Sequence, residues 1–117
     1  LGVAIEGCLV SPAYIVLSPG ENVWSDFFAY LFKLPQSLRL LTAHSRGLTK
    51  DRLRLYYNDF ALIPVRCPEF AEQLRIADCL SSLDDLITAQ TQKLAALKAH
   101  KKGLMQQLFP SSEEVGA

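Results

Sequence analysis

Apolar and polar positions divide the chain into two stretches of different rhythm. From residue 76 onward, apolar or seam positions fall at Ile76, Leu80, Leu83, Ile87, Gln90, Leu94, Leu97, Lys101, Leu104 and Leu108, in steps that alternate four and three. A repeat of 3.5 residues kept over more than four heptads predicts one long helix with a coiled-coil seam. Leu80, Ile87, Leu94, Lys101 and Leu108 share one seam position and the others the second. Gln90 and Lys101 are polar intruders, of the kind that weaken a seam while selecting register or orientation; a solvated helix end is the plainer account of Lys101. Pro68 suits the first helical position, Glu69 and Glu72 lie near the positive end of the helix dipole, and Lys93, Lys98, Lys101 and Lys102 gather toward the other end before Pro110 stops the helix. A helix over about 69–108 is roughly 60 Å long at 1.5 Å per residue. No globule of 117 residues buries such a rod alone, so the stripe needs a partner helix, in a second copy or in a missing part of the same protein. The tail from Ser112 to Ala117 is expected to fray.

The stretch before the rod lacks a single period. Tyr14-Ile15-Val16-Leu17, closed by Ser18-Pro19-Gly20, predicts a buried strand and turn. Ser25 to Phe32 is apolar on nearly every side and bounded by Pro35, which predicts a buried helix, and Gln36 to Ala43 predicts a second short one ending near Gly47. Arg52 to Tyr57 and Leu62 to Val65 are candidate short strands around a turn at Asn58-Asp59. The expected fold class is therefore α+β, a mixed head followed by one long C-terminal coiled-coil helix.

The formal net charge is zero. The distribution along the chain is not even. Residues 1–29 sum to −3, 30–66 to +5 through Lys33, Arg39, Arg46, Lys50, Arg52, Arg54 and Arg66 against Asp51 and Asp59, and 67–117 to −2. Half the residues are apolar and 21% charged, which argues against intrinsic disorder. No apolar run reaches the roughly 18 residues of a membrane span. The chain begins at Leu1 without a signal-peptide pattern, as expected of a cut inside a longer reading frame. Cys8, Cys67 and Cys79 are odd in number and lack metal-ligand spacing, which predicts reduced thiols in a cytoplasmic protein.

Catalytic constellations are scarce. His44 and His100 are far apart, Ser45 lacks a strand-turn-helix elbow, Asp84 and Asp85 project about 100° apart on a helix, and the six glycines form no phosphate cradle. The expectation is a non-enzyme with no catalytic residues, metal or cofactor. What remains is the run from Ser45 to Arg54, in which Arg46, Lys50, Arg52 and Arg54 share ten positions with the hydroxyls of Ser45 and Thr49 and with Gly47. Such groups contact phosphates and base edges, though by composition alone a solvated surface loop is the plainer account of them.

The run from Pro68 through Glu72-Gln73, Ile76 and Leu80 to His100-Lys101-Lys102-Gly103-Leu104 and Pro110 resembles the distal end of the specificity subunit of type I restriction-modification enzymes. Ser11-Pro12-Ala13-Tyr14, the Gly47 loop and Leu62-Ile63-Pro64-Val65 resemble the later part of that family's target recognition domain. The resemblance implies that residues 1–67 are part of a target recognition domain, 68–110 a spacer helix and 111–117 a disordered tail. It further implies a non-catalytic, cytoplasmic subunit that reads half of a split site on double-stranded DNA. Its partners would be methyltransferase subunits, restriction subunits through them, and a second spacer helix. The residues expected at DNA are Ser45, Arg46, Thr49, Lys50, Arg52 and Arg54, chosen on their chemistry. Those expected at the helix pairing are Ile76, Leu80, Leu83, Ile87, Leu94, Leu97 and Leu104. The rival expectation is an oligomerisation module whose coiled coil joins globular heads without touching DNA.

Overall fold

The computed structural model describes residues 7–12, 14–49 and 53–111. Among them are four helices: α1 (Ser25–Lys33), α2 (Pro35–His44), α3 (Tyr57–Phe60) and α4 (Phe70–Leu108). The α+β expectation is overturned, because the described residues form no sheet and their single β feature is an isolated antiparallel bridge between Arg46 and Arg54. Tyr14 to Leu17 is non-helical and exposed, not a buried strand. Leu62 to Val65 likewise joins no ladder, and Tyr57 opens a helical turn where the candidate strand was expected to end. The cause is that β-branched content favours an extended backbone but does not supply the neighbour whose N–H and C=O complete a ladder.

The chain divides into two compact units, Leu1–Asp78 and Cys79–Ala117. In the first, Leu34 separates α1 from α2. Pro35 takes the first helical position of α2 and disfavours helical geometry at the residue before it, so Leu34 sits extended at φ −63°, ψ 144°. The two helices therefore fold back into contact, and α2 in turn contacts α3. Phe27 is the buried residue of α1, and a chain of rings runs from it through Phe28 and Phe32 to Phe60 of α3, with centroids 5.1, 5.7 and 5.7 Å apart. These spacings are those of edge-to-face and tilted aromatic pairs, which add attraction beyond area burial.

A buried amide organises the start of α4. Gln73 is wholly buried. Its Oε1 accepts the backbone N–H of Trp24 at 2.9 Å, while Nε2 donates to the carbonyls of Asn22 at 3.1 Å and Pro68 at 2.9 Å and approaches the Cys67 sulfur at 3.2 Å. Asn22 stands at φ 59°, a left-handed conformation that Asn tolerates better than other side-chain-bearing residues. Next to this node the Trp24 and Phe70 rings meet edge to face at 6.4 Å. Pro68 is not the first helical residue as expected, because the Glu69 carbonyl accepts from both Glu72 and Gln73 at 3.0 Å and so makes Glu69 the N-cap. The Pro68 carbonyl is committed to Gln73 instead.

The helix α4 runs without interruption for 39 residues. Gln73 and Ala77 are its buried residues, four positions apart and hence on one face, both within the first unit. In the second unit the residues of α4 are exposed, save Leu80 and Gly103, which are half-buried. No helix among the described residues is long and apolar enough to cross a membrane.

Candidate nucleic-acid interface

The C-terminal end of α2 leads into the basic segment, and two side chains cap it. His44 Nδ1 donates to the Leu40 carbonyl at 2.8 Å, which requires the proton to be on that nitrogen, and Ser45 Oγ donates to the Leu41 carbonyl at 2.6 Å. Leu41 is one of the last four carbonyls of α2, which the helix leaves without an intrahelical partner, whereas the Leu40 carbonyl lies one residue inside that set. The single O–H of Ser45 is thereby used, which leaves its oxygen able only to accept.

Past the cap, Arg46 and Arg54 face each other across the antiparallel bridge, each N–H donating to the other's carbonyl at 2.8 Å. Their side chains part ways. Arg46 lays its guanidinium side-on against Asp59 of α3, with Nε donating to Oδ2 at 2.8 Å and Nη2 to Oδ1 at 2.9 Å. This bidentate pair joins an exposed arginine, 72% accessible, to a carboxylate that is only 15% accessible. The hydrogen bond to Asp59, and after it the carboxylate's charge, raise the Arg46 guanidinium above its ordinary value, so it stays protonated. Arg54 instead donates from Nη2 to the Pro12 carbonyl at 3.4 Å and sits over the Tyr56 ring with 5.0 Å to the centroid. Neither contact neutralises its charge.

Of the six residues expected at DNA, the structure brings Ser45, Arg46 and Arg54 together and leaves Thr49 exposed on the segment after Arg46. Lys50 and Arg52 lie outside the described residues. Sequence reasoning missed Asp59, assigned there to a turn, because a partner thirteen residues from Arg46 belongs to no local motif. It also missed Gln73, for which a signal existed. Stepping the seam back by three from Ile76 lands on Gln73, which places an inward-facing position on a polar residue.

The residues expected to pair helices fall into two groups. Ile76 and Leu80 are half-buried. Leu83, Ile87, Leu94, Leu97 and Leu104 are all exposed, from 42% at Leu104 to 63% at Ile87. An apolar stripe of that kind is uncommon on a lone soluble chain. Among the described residues no group of His, Cys, Asp or Glu is arranged to hold a metal ion.

No family model and no solved structure matches the chain. The chain is similar to the type I restriction enzyme MjaVIII specificity subunit of Methanocaldococcus jannaschii, with 26% identity over 102 residues, which is 86% of this chain and 23% of that protein. The chain thus spans about a quarter of the length of the curated relative it matches, and the similarity reaches across most of the chain.

Proposed function

We propose that this chain serves sequence recognition in a type I restriction-modification system, as the distal part of a specificity subunit. The observation that carries the reading is the similarity to a type I specificity subunit over 86% of the chain. Two features support it. Arg46 and Arg54 are held side by side on an exposed segment of a region whose formal charge is positive, as suits contact with duplex DNA. The exposed seam of α4 suits a helix partner, which in such a subunit is a second spacer helix or the methyltransferase subunits. On this reading the chain binds and positions, and other subunits do the chemistry. Ser45, Arg46, Thr49, Lys50, Arg52 and Arg54 face DNA, with the segment 68–110, which holds α4, as the spacer.

The test is to assemble the chain with type I modification subunits, confirm the complex by size, and map methylated bases on genomic DNA. Methylation confined to one recurrent sequence, and lost when the chain is left out, is the expected result. A confirmed complex that methylates without sequence preference defeats the proposal. The exposed seam alone would also serve an oligomerisation module. That alternative predicts self-association with no affinity for duplex DNA.

A further inference from the structure

Resting on that recognition reading, we propose that Asp59 is a positioning residue that presents the outer edge of Arg46 to a guanine base. An arginine has five N–H donors in a rigid plane. Asp59 engages Nε and one N–H of Nη2. Three remain, and two of them, one on Nη1 and one on Nη2, form the end-on edge; none has a protein partner among the described residues. The backbone of Arg46 is fixed as well, by both hydrogen bonds of the bridge to Arg54. Main chain and guanidinium are thus oriented before any ligand arrives.

The chemistry of the two DNA targets decides between them. A phosphate is contacted by a cation from almost any direction, and a carboxylate beside that cation cancels the attraction. An Arg–Asp pair is therefore a poor phosphate contact. A guanine edge is different, because O6 and N7 must both meet donors in one plane, and orientation is what the contact requires. The bidentate pair gives up attraction and gains a fixed plane. Arg54 makes the opposite choice. With a carbonyl and a ring as its partners it keeps its charge, which suits it to a phosphate.

The experiment selects duplex DNA with a randomised core on the chain assembled with its modification subunits, sequences the bound pool, and measures affinity for bulk duplex against salt. Asp59→Ala, Asp59→Asn and Arg46→Lys are compared with the wild type. In the wild-type motif one G·C pair is expected that Arg46→Lys ceases to select, with discrimination there falling about tenfold or more while the salt slope is unchanged. Asp59→Ala and Asp59→Asn should lose selection at the same pair, bind bulk duplex more tightly, and steepen the salt slope by about one. Thermal unfolding of each variant separates this from a structural role, which would lower the melting temperature and weaken binding at every position alike. If Asp59→Asn folds and keeps the full motif, the positioning role is refuted while the recognition reading stands. If the wild type selects no motif at all, both fall.

Discussion

Gln73 is the residue whose loss the structure makes most costly. Gln73→Ala leaves the Trp24 N–H and the Asn22 carbonyl without partners, and the Pro68 carbonyl with only the long contact from the Cys67 thiol at 3.6 Å. An unsatisfied buried group costs about 1–3 kcal/mol. These sites are part-buried, so water recovers some of that. A destabilisation of about 2–4 kcal/mol is expected, a large fraction of the roughly 5–15 kcal/mol that holds an ordinary domain together. Gln73→Glu keeps the shape and the acceptor for Trp24 but turns a second oxygen toward the two carbonyls. Burial beside acceptors disfavours the ionised form and raises the introduced carboxyl above its unfolded value near 4.3. A group raised in this way adds no ionisation penalty below its unfolded pKa, where its single O–H serves one of the two carbonyls, and the deficit grows by up to about 1.4 kcal/mol per unit as pH rises toward the folded pKa. The deficit of Gln73→Glu relative to wild type should therefore be largest at neutral pH and shrink on acidification, whereas that of Gln73→Ala should not change. Urea unfolding gives both numbers, and Trp24, the sole tryptophan, reports on the node itself. A Gln73→Ala variant within about 0.5 kcal/mol of wild type, below the cost of a single unsatisfied group, or a Gln73→Glu deficit that ignores pH, would refute the reasoning.

Two further outcomes follow from local geometry. Asn22→Gly should be nearly neutral and Asn22→Val should cost about 1–2 kcal/mol in a urea melt, because φ 59° opposes a β-branched side chain; equal stability of the two removes the strain argument. In α4, Leu94→Asp with Leu97→Asp places charge on the exposed stripe, and sedimentation should show at least tenfold weaker self-association than the wild type. A wild type that stays monomeric at every concentration tested rules out a second copy as the partner of that stripe.

The elements legible in the sequence are those whose signal is local. The seam of α4 is a property of spacing, and the break between α1 and α2 is a property of Pro35, so neither needs knowledge of the rest of the molecule. The strands failed for the complementary reason. Whether Tyr14 to Leu17 becomes a strand depends on a neighbour that no window of the sequence contains, and among the described residues it has none. At Asn58-Asp59 the expected turn is a single turn of helix, Tyr57–Phe60. Of the candidate site, the basic residues were visible by composition. Their partners were not, because Pro12 lies forty-two residues from Arg54 and Asp59 thirteen from Arg46.

Charge counting shows where such a reading stops. The segment 30–66 sums to +5 with Arg46 and Asp59 both inside it, so the two cancel in the arithmetic whether or not they meet. In the structure they do meet, at 2.8 Å, and the cancellation becomes a local fact with a direction attached. The cation whose plane is fixed is the one whose charge is neutralised. The cation that keeps its charge, Arg54, is held by a carbonyl and an aromatic ring, neither of which competes with a phosphate for it. Attraction and orientation are thereby divided between two arginines that a single bridge holds together. A sum over residues can register only the first of these properties. If duplex DNA is the ligand, sequence selectivity at this spot depends on the second, and the carboxylate that lowers the sum is the group that supplies it.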